Sequence, residues 1–269
     1  MQIGFISFAG GDFLWKASLE RISKQATKSH IFKKLGIYTP EDLQNLTSAA
    51  DYEFIRSNPR GFGYWIWKPI IVSSFLYQNP DIEMILYADA GCDLNFNFNS
   101  SVNWTRYVKE LESHEAIVFK MELIERKWTK QEVFNAFPEW ERFQDSEQIL
   151  GGVFFMRRDF ALDFCNRWLE IMRQDSYSLL TDDFELKIQD SEFVQPRHDQ
   201  SIFSLLVKQE SNILILDSLK ELYFEPDWNR GRNYPIWTSR NKSKVPKYKS
   251  SLLSRIVRTM EKVLRKILI

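Results

Sequence analysis

Short apolar runs recur along this chain with helical patterns between them: QIGFISF (2–8), EMILYAD (83–89), EAIVFKM (115–121), QILGGVFFMRR (148–158) and NILILD (212–217). Each is rich in β-branched and aromatic residues and too short for a helix, so each reads as a buried strand. The intervening stretches carry helix signals. A helix is expected over about Phe13–Thr27. TPEDLQNL (39–46) has Thr39 as N-cap, Pro40 at the first helical position and acids in the first turn. Pro69 starts a helix to about Tyr77, another follows residue 158 to about Met172, and 195–208 is a helix with a polar first turn. Strands alternating with helices predict an α/β fold with a mainly parallel sheet flanked by helices. Ligands of such sheets sit beyond the carboxyl ends of the strands. That places four polar clusters on one rim: Phe8–Gly11, Asp89–Asp93, Glu147–Gly152 and Arg197–Gln200.

A length of 269 residues suits one large α/β domain or two small ones. Cys92 and Cys165 are the only cysteines and have no paired spacing, which argues against a disulfide scaffold or zinc cluster and fits a reducing compartment. The three histidines, His30, His114 and His198, have no metal-binding spacing. The opening MQIGFISF lacks the basic start of a signal peptide, and no apolar run reaches the ~20 residues of a membrane span. The net charge of zero hides an asymmetry: Lys242 to Ile269 holds nine Lys/Arg and one Glu, leaving residues 1–241 with 27 basic and 35 acidic residues. An acidic body with a basic tail points to a localised anionic partner, not to a nucleic-acid-coating protein. The domain division is therefore 1–241, then a basic tail 242–269.

Three blocks hold residues suited to chemistry. In LYADAGCDLN (86–95), Asp89 ends an apolar strand and Asp93 follows across a Gly-containing turn. Two carboxylates on one tight loop suit a hard divalent cation, which can hold a diphosphate and neutralise its leaving charge. The alternative is that Asp89 caps the turn and Asp93 is solvated. In RHDQSIFSLL (197–206), His198 and Asp199 are adjacent at a helix start and so point about 100° apart. In RGFGYWIWKPIIV (60–72), Arg60 and Lys68 bracket a Gly-hinged aromatic loop entering a helix.

These blocks, in this order, resemble nucleotide-sugar glycosyltransferases of the GT-A fold, a Rossmann-like sheet, in the bacterial group that serves capsular-polysaccharide and O-antigen assembly. The resemblance spans roughly residues 1–225 and implies a metal-dependent transfer of a hexose from a UDP-sugar, with Mn²⁺ or Mg²⁺ as cofactor and galactose, pyranose or furanose, favoured. It implies Asp89 as metal ligand. The chain has Gly91 where the simplest Asp-x-Asp pattern has its second acid. Asp93 is then the second ligand, a ribose contact or only a shaper of the loop. The aromatic loop becomes part of the donor pocket. Arg60 and Lys68 lie near phosphate, helped by a helix N-terminus, and Tyr64 or Trp65 stacks on a sugar or uracil ring. The alternative is that the rings are core, as Phe62 and Trp67 are expected to be, and that Lys68 snorkels. Phe8, Ala9 and Gly10 form the nucleotide-contacting turn, where Gly10 permits close backbone approach. Glu147 and Gln148 hydrogen-bond hydroxyls of sugar or acceptor, or belong to a tight turn. Asp199 is the catalytic carboxylate, as a base on the acceptor or a stabiliser of the oxocarbenium ion; its alternative is a helix cap. His198 reaches the metal or a phosphate.

From Leu252 onward the apolar residues fall on one helical face and Arg255, Arg258, Lys262, Arg265 and Lys266 on the other. Such a basic amphipathic helix lies in an anionic membrane interface. That fits a cytoplasmic enzyme, peripheral on the inner face of the membrane, whose acceptor is a lipid-linked glycan. The rival functions are a nucleotidyltransferase or sugar-nucleotide hydrolase on a similar sheet, and a non-catalytic glycan-binding module.

Overall fold

The computed structural model describes residues 1–222 and 231–244. In chain order the elements are β1 (Ile3–Phe8), α1 (Phe13–Ser29), β2 (Lys34–Tyr38), α2 (Pro40–Leu46), α3 (Ala49–Ser57), the single turn α4 (Gly61–Tyr64), α5 (Trp67–Gln78), β3 (Met84–Ala88), β4 (Asp93–Leu94), α6 (Ser101–Glu110), β5 (Ala116–Ile124), α7 (Glu125–Trp128), α8 (Gln131–Asn135), β6 (Glu147–Ile149), β7 (Val153–Arg157), α9 (Arg158–Tyr177), α10 (Asp199–Gln209), β8 (Ile213–Asp217), α11 (Ser218–Glu221) and β9 (Ile236–Trp237). The fold is α/β: a seven-stranded sheet ordered β2-β1-β3-β7-β5-β6, with β8 also paired to β5. β1 pairs in parallel with β2 and β3, and β5 with β8. β6 and β7 run the other way. The sheet is thus mainly parallel, as the strand–helix alternation predicts.

Helices α3 and α6 add to those expected from the sequence, and three details bear on the sheet and the site. The stretch 148–158 is two strands, because the chain leaves the ladder at Leu150–Gly152 and rejoins it as β7, both antiparallel to β5. β2 was not foreseen: KLGIY is a five-residue edge strand with mixed burial and no run of buried apolar residues to mark it. Residues 195–198 are not helical, and α10 begins at Asp199.

Alternation along the buried strands sends side chains to both faces. Ile6, Tyr87, Val118 and Phe154 join the layer of α5, α9 and α10, while Phe5, Leu86, Phe119 and Phe155 join that of α1 and α6. Local signals fix the helix starts. Asp12 Oδ1 caps α1 by accepting from the Leu14 and Trp15 amides, and Thr39 and Asp42 form a capping box ahead of Pro40 in α2. α5 is apolar on all sides and buries Ile70, Ile71, Val72, Phe75 and Leu76. A helix apolar all round is a core helix, and this one carries Lys68 inside with it. Pro69 falls at its third residue, within the first turn where a missing N–H costs nothing.

Candidate active site

The strand order β2-β1-β3 makes β1 and β3 the point where the chain turns from building one side of the sheet to building the other. Loops leaving such a point diverge and open a crevice. Here the loops after β1 and β3 border a cavity of about 900 Å³, closed by the aromatic loop before α5, the Leu150–Gly152 break, the segment into α10, and residues 238–242. The four clusters expected on one rim therefore meet, except for Asp93 at the end of the second and the start of the third.

Phe8, Ala9, Gly10, Arg60, Trp65, Lys68, Asp89, His198 and Asp199 line this cavity. Four other expected site residues do not. Asp93 is fully buried on the far side of its turn, 2.9 Å from Arg21 Nε, and accepts from Gln25, Ser239 and Asn241. Its carboxylate is taken up by a buried ion pair that ties the turn to α1. Glu147 pairs with Lys120 at 2.6 Å, both half-exposed and away from the cavity. Gln148 is buried among Glu125, Thr129 and Ser201, and reaches the cavity only through Gln200, whose amide donates to it at 2.7 Å. Tyr64 donates to Asp182 and lies behind the wall. As expected, Trp67 is core, stacked on Phe8 with ring centroids 3.8 Å apart. Phe62 is half-buried, edge-on to Phe8, and lines the cavity.

The aromatic loop owes its shape to an unusual backbone. Gly61, Phe62, Gly63, Tyr64 and Trp65 all have positive φ, between 51° and 75°. Tyr64 N–H donates to Arg60 C=O at 2.8 Å and Trp65 N–H to Gly61 C=O at 3.1 Å. This is one turn of left-handed helix, which costs an L-residue with a side chain about 1–2 kcal/mol. Glycines remove the cost at two of the five positions. The rest is offset by fixed contacts. Gly63 N–H donates to Asn58 C=O at 2.7 Å, Trp67 Nε1–H to Gly61 C=O at 2.8 Å, and Arg60 Nη1 to both carboxylate oxygens of Asp182 at 2.7 Å.

Charge in the cavity is organised around Lys68. Its ammonium is buried, 2.8 Å from Asp199 Oδ2, 3.8 Å from Asp89 Oδ1, and donates to Gly151 C=O at 3.1 Å. Burial pulls its pKa down, but Asp199 and Asp89 outweigh this and hold it above its ordinary value. Burial pushes the Asp199 carboxyl up to about 6, against the pull of Lys68 and with a further push from Asp89. Asp89 also accepts from the Tyr87 hydroxyl at 2.7 Å. Its half-exposed carboxylate needs Gly152 beside it: a Cβ there would lie 2.7 Å from Asp89 Oδ2. Asp199 is the first residue of α10, with His198 at the cap position and no side-chain cap bond. Its carboxylate lies on the cavity wall against Lys68.

His198 is buried, and burial pushes its pKa down to about 4, so it is neutral near pH 7. Nδ1 lies 2.7 Å from Leu180 C=O, so that nitrogen carries the proton and Nε2 is left as an acceptor. Nε2 has no hydrogen-bond partner among the described residues.

Sequence reasoning missed Trp15, Arg197, Thr238, Arg240 and Lys242, all on the cavity wall. Arg197 stood in a quoted block without a role. Trp15 comes from the first turn of α1, and Thr238, Arg240 and Lys242 are brought in by the strap 236–243. Arg21 fastens that strap: it donates to the carbonyls of Ala90, Cys92, Asn241 and Ser243. One buried guanidinium thus ties the loop after β3 to the strap, and Asp93 neutralises it. Asp93→Asn keeps the shape and removes the charge. It should lower stability by about 1.5–3 kcal/mol, the range for a hydrogen bond to a charged group. An unchanged urea midpoint would refute this structural role.

The donor set fits Mn²⁺ or Mg²⁺ poorly. Such ions take one or two carboxylates plus phosphate and water oxygens. Asp89 and Asp199 both face the cavity, but a lysine ammonium already sits between them. Among the described residues no group of three or more His, Cys, Asp or Glu side chains could hold a metal.

Solved structures similar to this chain include a glycosyltransferase involved in the glycosylation of the major capsid of PBCV-1 (TM-score 0.47, 12% identity, covering 88% of this chain and 92% of that one). Another is mouse xyloside xylosyltransferase 1 in its apo form (TM-score 0.48, 11% identity, covering 91% and 100%). No family model matches the chain, and no curated protein matches it. Likenesses this distant carry no argument about what the chain does.

Proposed function

We propose that this chain is a glycosyltransferase that moves a hexose from a nucleoside-diphosphate sugar to a hydroxyl of a glycan. The observation that carries this reading is the cavity itself. It stands at the β1/β3 switch point, is of a size suited to one nucleotide-sugar, and combines aromatic faces for rings with basic side chains for phosphate. Asp199 and Asp89 supply carboxylates at its floor. The three sequence blocks favour a UDP donor, galactose as the sugar, and a growing capsule or O-antigen polysaccharide as the acceptor.

In this reading Trp15, Phe62 and Trp65 offer faces to the base or sugar, and His198 Nε2 accepts from a hydroxyl. Asp199 acts as base on the acceptor or faces the positive charge developing at the sugar carbon. Lys68 holds Asp199 in place and keeps it ionised above pH of about 6. Incubating the protein with a set of nucleotide-sugars, with and without a polysaccharide acceptor, tests the reading. Acceptor-dependent release of the nucleoside diphosphate supports it. Pyrophosphate release, or cleavage at full rate without acceptor, would assign the cavity to nucleotidyl transfer or hydrolysis instead.

The basic amphipathic stretch 250–269 lies outside the described residues. No helix among the described residues is long and apolar enough to cross a membrane. Our reading keeps this stretch as an anchor to anionic lipid that brings the enzyme to a lipid-linked acceptor, at ~1 kcal/mol per basic residue near the surface. The full chain should pellet with anionic but not neutral liposomes, less so in salt. Equal pelleting after truncation at Asn241 would end this proposal.

A further inference from the structure

Among the described residues, two cavity arginines, Arg197 and Arg240, have no acidic partner. Arg197 rests its guanidinium 4.6 Å from the Trp128 ring centroid, and its buried Nε has no hydrogen-bond partner among the described residues. Arg240 reaches the same cavity from the strap, close enough to Arg197 to depress its pKa, after burial has already done so. Thr238, between the strap's strand and Arg240, also has a buried hydroxyl oxygen without a hydrogen-bond partner among the described residues. Lys242 adds a further ammonium, 4.4 Å over the Trp15 ring. Other cavity cations are matched: Arg60 by Asp182, and Lys68 by Asp199 and Asp89. Two guanidiniums lining one cavity repel, and the unpartnered Arg197 Nε–H is costly unless an anion completes the set. A diphosphate does so, because guanidinium forks match its oxygens.

We infer that the donor's diphosphate is held and neutralised by Arg197 and Arg240, with Thr238 and Lys242 beside them, and that no divalent cation is required. This rests on the reading of the cavity as a nucleotide-sugar site. The chain has no acid at position 91, has turned Asp93 into the core, has tied the Asp12 carboxylate to the start of α1, and has put the Lys68 ammonium between Asp89 and Asp199. As the sugar bond breaks, its electron pair goes to the leaving β-phosphate oxygen. The fixed positive charges take up that developing charge, as a metal would elsewhere.

The test is calorimetric binding of UDP and of inorganic pyrophosphate to the full chain, in EDTA and in Mn²⁺. Both should bind in EDTA, UDP within about threefold of its affinity in Mn²⁺. Arg240→Gln and Arg197→Gln should each weaken both by about tenfold or more, since each removes at least one charge-assisted bond. Arg240 is exposed, so its variant should melt like the wild type; Arg197→Lys keeps the charge if Arg197→Gln fails to fold. UDP binding that appears only with Mn²⁺ would overturn the inference and leave the donor-site reading standing. Metal-free pyrophosphate binding that UDP, GDP and CDP all fail to displace would support the diphosphate site and sink the nucleotide-sugar reading. No binding of either probe under any condition overturns both, and unchanged affinity in the arginine variants overturns the assignment of those side chains.

Discussion

Asp199→Asn lowers transfer about 10²–10⁴-fold, the usual contribution of a positioned proton acceptor, while UDP affinity stays within a few-fold of wild type. Asparagine keeps an oxygen for Lys68 and keeps the side-chain shape, so the buried ammonium is not stranded. The pH profile sharpens the claim. Both roles open to Asp199 need the ionised carboxylate, and burial has pushed its pKa up to about 6. The wild-type kcat/KM should therefore fall as pH drops through about 6 and level off above it. The limb at about 6 should vanish in the variant. A variant with near-normal turnover, or one in which affinity and turnover fall together, would leave Asp199 as a structural partner of Lys68 only.

Lys68→Met destabilises the fold by about 3–5 kcal/mol at pH 8, because it removes one partner of a buried ion pair and leaves the other charged. Methionine fills the volume, so the loss reports charge more than packing. The deficit should shrink with acid. Without the ammonium, the Asp199 carboxyl loses the interaction that lowers its pKa and keeps the burial that raises it. A carboxyl with a raised folded pKa takes up a proton more readily folded than unfolded, so stability declines as pH climbs from the unfolded value to the folded one. Urea unfolding at pH 5 and pH 8 measures this. A deficit below about 1 kcal/mol, or one equal at both pH values, would mean that the buried Asp199 carboxylate does not depend on Lys68 as the geometry implies.

The strands were legible because each central one is an apolar run buried on both faces; Met84–Ala88 and Val153–Phe155 are examples. β2 was not, because an edge strand with one packed face carries half the signal. The cavity residues in the quoted blocks could be found because their chemistry stands at strand or helix ends. Asp93 misled because its spacing fits a ligand equally well whether the loop turns it out or in, and only Arg21, 72 positions earlier, decides which. Arg240 was invisible for a related reason. The strap has no periodic pattern, and its place on the wall is set by carbonyls that Arg21 gathers from both sides of the molecule.

The left-handed turn at Gly61–Trp65 has a stereochemical consequence. Along this turn the backbone is the mirror image of an ordinary helix, so for Phe62, Tyr64 and Trp65 the wrong enantiomer is encoded. Ribosomal mutagenesis cannot separate the two effects at Phe62, since glycine would relieve the torsion and delete the ring at once. Chemical ligation can. A chain carrying D-alanine at Gly61 or Gly63 meets no left-handed penalty and has fewer unfolded conformations than glycine allows. It should melt higher than its L-alanine epimer, which at Gly63 would also set a Cβ 2.9 Å from the Ile55 Cα. The wall of the cavity is thus a place where inverting one stereocentre tests whether an enzyme's shape is imposed on its backbone or native to it.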